Sequence, residues 1–304
     1  MFSKFSKKFL FIFVLFFVFP FSSNSLFAQD DDEIINIDSS LVILNATITN
    51  SKDKPEFNLT KSQFELFEDG KKQEIAVFET QKTPYAVIIL IDTSGSMEQR
   101  VSLARSAAIN FLDGIRPDDN VAIYNFDSEI KLVQKFSNLR DLFPQAFDLK
   151  ASGWTVLNDA VYEAAKELDK RKEKRRAIIV LSDGADTKSG RSSSKALKAA
   201  LDANATIYTV DMSGIDTGGK SRMQNQGILK KFANRTGGRF ISTPGGLEMR
   251  ETFKNIVEEL GSQYTLGYYP TNTKKDGKWR KIELNIPEKK LNIRTREGYE
   301  APKN

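Results

Sequence analysis

From Pro84 onward the chain alternates between short apolar runs and segments with helical spacing, and this alternation restricts the fold more than any other feature. Tyr85 to Ile91 is an uninterrupted apolar run. A strand of that kind belongs where helices cover both faces of a sheet, since a strand with one wet face alternates instead. Val101, Ala104, Ala108, Phe111, Leu112 and Ile115 follow on one helical face. Val121–Phe126 and Ile130–Phe136 read as strands, and Leu157, Ala160, Val161, Ala164, Ala165 and Leu168 mark a second helix. The buried strand Ala177–Leu181 precedes a helix around Ser193–Asp202 and the strand Thr206–Val210. A helix around Met223–Arg235, a short strand at Arg239–Ile241 and a helix carrying Met249, Phe253, Ile256, Val257 and Leu260 complete the series. The pattern predicts a doubly wound, Rossmann-like α/β domain with a mostly parallel central sheet over residues 82–260.

The flanks have a different texture. In residues 29–81 the alternating pairs Val42/Leu44/Ala46/Ile48, Phe64/Leu66 and Ile75/Val77 predict half-buried strands. Asp69-Gly70 between the last two accepts the positive φ of a tight hairpin. Residues 261–304 repeat the texture at Tyr264/Leu266/Tyr268, Ile282/Leu284/Ile286 and Leu291/Ile293. Each flank is small for a core of its own, so the two are expected to pack as one β-sandwich into which the α/β domain is inserted; two separate lobes are the alternative. Tyr264, Tyr268 and Tyr269 are assigned to its core and edge, and the charge run Lys166–Arg176 to a solvated helix end and turn.

The chain begins with Lys4, Lys7 and Lys8, then an apolar run from Phe9 to Phe21, then the small residues Ser22, Ser23, Ser25 and Ala28. That is the layout of a secretory signal, read here as residues 1–28, and the run is short of the roughly 20 residues a permanent span requires. Export to the periplasm or beyond the cell is expected, with no transmembrane segment after signal removal. Removing the signal takes away three Lys and no acid, so the net charge falls from +5 to +2 and gives a nucleic-acid partner no electrostatic footing. With no His and no Cys among 304 residues, a His-based triad, a Cys nucleophile and a His/Cys zinc site are all excluded.

What remains is oxygen chemistry. The first strand of the α/β domain ends in Ile91-Asp92-Thr93-Ser94-Gly95-Ser96-Met97. Ligands of open α/β sheets sit at the carboxyl ends of strands, and a turn at Gly95 can aim Asp92, Ser94 and Ser96 at one point. Gly153-Trp154-Thr155-Val156-Leu157-Asn158-Asp159-Ala160 places a hydroxyl ahead of a helix, and Leu181-Ser182-Asp183-Gly184 places a carboxylate after a buried strand. Oxygen donors of this kind suit a hard cation such as Mg²⁺. Asp127, Asp159 and Asp186 are read as loop residues or supports near the site; Trp154 and Tyr124 are read first as core or loop packing, with a place at the border of the binding face as the alternative.

These three segments resemble the metal-ion-dependent adhesion site of von Willebrand factor type A domains. The resemblance implies Asp92, Ser94, Ser96, Thr155 and Asp183 as metal ligands, and each matches the family's residue type. It implies a divalent cation, Mg²⁺ first and Mn²⁺ or Ca²⁺ next, and a partner protein offering an Asp or Glu carboxylate. Phe64-Glu65-Leu66-Phe67-Glu68-Asp69-Gly70-Lys71, Tyr264-Thr265-Leu266-Gly267-Tyr268 and Arg294-Thr295-Arg296-Glu297-Gly298-Tyr299 are similar to exported von Willebrand factor A-related proteins first noted in Acidobacteria. The expected function is cation-dependent protein interaction or adhesion without catalysis. A structural subunit contacting partners through the sandwich is the alternative. A metal-dependent phosphohydrolase ranks last, because Ser94 stands where such enzymes place a second Asp.

Overall fold

The computed structural model describes residues 41–80, 83–141, 151, 153–213, 220–242, 247–287 and 289–303. The signal read at residues 1–28 and the start of the first β segment lie outside them. The central sheet is assembled from β5 (Tyr85–Asp92), β6 (Asn120–Phe126), β7 (Ile130–Ser137), β8 (Arg175–Ser182), β9 (Ala205–Asp211) and β10 (Phe240–Ser242), in the order β10-β9-β8-β5-β6-β7. All neighbours run parallel except β6 and β7. The sheet is therefore mostly parallel, as the sequence predicts, with one antiparallel edge.

The apolar runs behave as their composition requires. Along β5, Tyr85, Val87, Ile89 and Ile91 enter one core with α1 (Val101–Asp113) and α5 (Leu247–Ser262). Ala86, Ile88 and Leu90 enter another with α2 (Leu157–Asp169), α3 (Ser193–Asp202) and α4 (Lys220–Thr236). With successive side chains pointing to opposite faces, only an all-apolar strand can satisfy both layers. Each fully buried aliphatic side chain contributes about 1.5–3 kcal/mol, so these double-sided strands anchor the domain.

The topology fixes where a ligand can sit. From β5 the chain crosses by α1 on one face to β6, whereas from β8 it crosses by α3 on the other face to β9. The carboxyl ends of β5 and β8 thus diverge to opposite faces and leave a crevice between them, the usual binding position in an open α/β sheet. Asp92 is the last residue of β5, and Asp183 follows the last residue of β8.

The flanks form two further four-stranded sheets. One contains β13 (Asn292–Arg294), β1 (Val42–Thr49), β11 (Tyr264–Tyr268) and β4 (Ile75–Glu79), in that order. The other contains β14 (Gly298–Glu300), β12 (Trp279–Asn285), β2 (Glu65–Glu68) and β3 (Lys71–Gln73). Both combine strands from before and after the α/β domain, and Leu44, Leu66, Ile75, Tyr264, Tyr268 and Ile282 share one core. This is the sandwich expected from the two flanks rather than two lobes.

Three details differ from the sequence reading. Asp69 and Gly70 do take positive φ, at 48° and 79°, but they join β2 to β3, and β4 then crosses to the other sheet. Tyr299 lies on a further short strand, β14. The charge run is not wholly solvated: Arg175 at the head of β8 is fully buried. Its Nη2 donates to the carbonyls of Thr80 and Gln263, at 2.7 and 2.5 Å, and its Nε donates to Thr265 Oγ1 at 3.0 Å. A guanidinium that loses water needs such acceptors, and the two junctions between sandwich and α/β domain supply them.

Candidate metal centre

Asp92 is fully buried, because β5 is central and its last side chain lies under the loops that follow. Oδ1 accepts the Ser94 amide at 2.9 Å and Oδ2 accepts the Ser182 hydroxyl at 2.6 Å. A carboxylate has about four acceptor directions, so roughly two remain. Burial pushes the Asp92 carboxyl up to about 6; the hydrogen bonds from Ser182 and Ser94 oppose the rise and the charge of Asp183 adds to it. A carboxylate raised by burial and by a second carboxylate in the same crevice is one whose ionised form a cation would favour, by supplying the missing charge.

Ser94 is buried and Ser96 exposed, and their hydroxyl oxygens stand 3.2 Å apart. Adjacent oxygens around an octahedral Mg²⁺ with bonds of about 2.1 Å are about 3 Å apart, so this pair has the spacing of one octahedral edge. A single 3₁₀ turn, Gly95–Met97, produces that spacing by folding the residues after Ser94 back on themselves. The loop before α2 is tied to it, since the Gly95 amide donates to the Gly153 carbonyl at 3.3 Å. Thr155, two residues on, is buried. Its amide donates to Thr187 Oγ1 at 2.9 Å, and its carbonyl accepts the amides of Thr187 and Lys188, both at 3.0 Å.

Asp183 is half-buried, and its Oδ1 accepts the Ala185 amide at 2.9 Å. The fold therefore brings Asp92, Ser94 and Ser96 together directly. It places Asp183 on the adjacent strand end and Thr155 on a loop bonded to Gly95. Two carboxylates with three hydroxyls suit a hard divalent cation and would leave it strongly electrophilic, because the hydroxyls are neutral. Among the described residues no three His, Cys, Asp or Glu side chains gather closely enough to hold an ion by themselves, so the hydroxyls are integral to any cation site here.

The neighbouring acids have structural work. Asp186 caps α2, accepting the Asn158 amide on Oδ2 at 2.8 Å and the Ser189 amide on Oδ1 at 3.1 Å. Asp159 receives the amides of Gly190 and Arg191. Asp127 accepts the Glu129 amide and has Lys131 at 4.0 Å. Sequence reasoning misses Ser182, which orients Asp92, and the only local signal is its place one residue before Asp183. It also puts packing ahead of the binding-face border for Trp154, whereas Trp154 is 61% exposed.

Comparison with known proteins accords with this architecture. Residues 86–259 match the family model of the von Willebrand factor type A domain. The uncharacterized protein sll0103 of Synechocystis is 25% identical over 189 residues, covering 60% of this chain and 43% of its own length. Bovine inter-alpha-trypsin inhibitor heavy chain H4 is 24% identical over 211 residues, covering 62% of this chain and 22% of its own. The chain thus spans less than half the length of either relative. Proximal thread matrix protein 1 of the mussel byssus shares the fold with a TM-score of 0.50 at 13% identity, covering 64% of this chain and 51% of that one. By its matched domain, its doubly wound sheet and the loops gathered at its switch point, this chain belongs to the von Willebrand factor type A domain family.

Proposed function

We propose that the protein is a non-enzymatic interaction or adhesion module of an exported bacterial protein, which grips a partner's Asp or Glu carboxylate through a divalent cation. Asp92, Ser94, Ser96, Thr155 and Asp183 would hold the cation, with Mg²⁺ favoured over Mn²⁺ and Ca²⁺. The observation that carries this reading is the Ser94–Ser96 hydroxyl pair, at 3.2 Å, beside a buried Asp92 at the divide between β5 and β8. When bound, the cation supplies an electrophilic position that a carboxylate can fill. The chain's own residues orient it: Ser182 fixes Asp92, the Gly95–Gly153 bond holds the two hydroxyl loops together, and Asp186 anchors the helix after Thr155.

Catalysis has little support in these residues. Hydrolysis at a metal site needs a nearby base, and the chain has no His. Asp92 and Asp183 are committed to the cation in this reading. Export rests on the sequence of residues 1–28. Among the described residues no helix is long and apolar enough to cross a membrane.

The test is a thermal melt of the chain lacking residues 1–28, in EDTA and in millimolar Mg²⁺ or Mn²⁺, beside Asp92→Ala and Asp183→Ala. A ligand that binds only the folded state at 100 times its Kd adds about 2.7 kcal/mol of stability. Wild type should melt higher with the cation, and neither variant should shift. Equal shifts in all three would exclude this site as the origin, and the reading would fall.

A further inference from the structure

Single exposed apolar side chains are ordinary on a protein surface; what sets two of those here apart is that they lie on segments bordering the candidate cation site. Trp154 sits between Gly153, whose carbonyl is bonded to Gly95, and Thr155. Its own amide donates to Ser128 Oγ at 3.0 Å. Gly153 has φ +74°, and a Cβ there would lie 2.6 Å from that same Ser128 oxygen. Thr155 is held by Thr187 and Lys188. The backbone beneath Trp154 is therefore clamped from three separate loops while 61% of the residue faces solvent. Met223, 75% exposed, lies on α4 beside the Asp183 loop, since a Cβ on Gly184 would meet the Asn225 carbonyl at 2.6 Å.

Resting on the cation-bridged reading above, we infer that Trp154, with Met223 in support, selects partners whose coordinating Asp or Glu has an apolar side chain one or two residues away. A fixed, exposed indole loses little conformational entropy on contact, which is why Trp so often dominates binding energy at interfaces. A partner's Leu, Phe or Trp would cover the indole face and exclude water from the bridge, which strengthens the charge contact there.

The test pans phage-displayed random heptapeptides on the protein in millimolar Mg²⁺ and elutes with EDTA. The wild-type pool should carry Asp or Glu with Leu, Phe or Trp within two positions. The Trp154→Ala pool should keep the acid and lose the apolar neighbour, with a smaller loss for Met223→Ala. A synthetic Trp-free peptide from the wild-type pool is then titrated by indole fluorescence in a Trp279→Phe background, where Trp154 is the sole reporter, and by calorimetry against Trp154→Ala. A blue shift and a weakening of about tenfold are expected, with no weakening for the same peptide carrying Gly in place of its apolar residue. Equal affinity of wild type and Trp154→Ala, with EDTA and Asp92→Ala still abolishing binding, overturns this inference and leaves the proposed function standing. If EDTA releases no pool, or Asp92→Ala enriches the same one, the proposed function fails and takes the inference with it. Trp154-dependent binding of neutral glycans in place of acidic peptides would likewise overturn it.

Discussion

Asp92 shows how one buried carboxylate is kept in a usable state. Its desolvation is offset by the Ser94 amide and the Ser182 hydroxyl, and neither bond blocks the directions left for a cation. Ser182→Ala should therefore lower stability by about 1–3 kcal/mol, since a buried acceptor loses its partner. It should also weaken cation binding, because Asp92 is no longer held. Urea unfolding and Mg²⁺ titration by calorimetry check both, and an unchanged affinity would mean that Ser182 serves folding alone. The spacing of Asp92, Ser94 and Ser96 is legible in the chain because one local turn creates it. The role of Ser182 is not, because it depends on β8 lying beside β5 in register, with Leu181 opposite Ile91. Trp154 is read first as packing because large aromatics are usually buried, and its exposure belongs to a loop held by long-range bonds such as that from its amide to Ser128, 26 residues away in sequence.

At the level of elements, α4 ends where its glycines allow. Gly237 has φ +80° and its amide returns to the Asn234 carbonyl, while the Gly238 amide returns to Ala233, so the last turn closes in a left-handed cap. A Cβ on Gly237 would also stand 2.4 Å from the Thr295 backbone, where the chain passes from β13 to β14. Gly237→Ala should cost about 2 kcal/mol or more, from the positive φ together with the clash. Gly261, in the last turn of α5, should behave oppositely, because a Cβ added there would meet nothing within 4 Å. Gly261→Ala should add about 0.5–1 kcal/mol by reducing the freedom of the unfolded chain. Denaturant midpoints of the two variants test the pair, and similar changes at both sites would refute the distinction. The helices and the double-sided strands are readable because their periodicity is local, as in Leu157 to Leu168 or Tyr85 to Ile91. The crossing of β4 away from the β2–β3 hairpin is not, since Ile75 and Val77 alternate identically whichever sheet they join.

Across the whole molecule, sandwich and α/β domain are joined by buried polar groups as well as by two stretches of chain. Arg175 links the head of β8 to Thr80, Gln263 and Thr265. Arg296 donates to Leu201 O at the end of α3 and to Ile43 O in β1, at 3.1 and 2.8 Å, and Gln263 Nε2 donates to Tyr208 Oη in β9 at 3.5 Å. Burial drives the Arg175 and Arg296 guanidinia down to about 10, the mark of cations that depend on these acceptors once water is gone. Such groups couple two cores, because neither domain can open without leaving donors or carbonyls of the other unpaired. The wild-type chain should accordingly unfold in one calorimetric transition, with its calorimetric and van't Hoff enthalpies in agreement, and Mg²⁺ should move that transition as a unit. Arg175→Met keeps most of the side-chain volume but strands the Thr80 and Gln263 carbonyls, at a cost of about 1–3 kcal/mol for each. In that variant the sandwich should melt first as a separate transition indifferent to Mg²⁺, while the later α/β transition alone still shifts with the cation. A single transition in Arg175→Met, moved as a whole by Mg²⁺, would show that the apolar contacts across the junction couple the domains without the buried guanidinium.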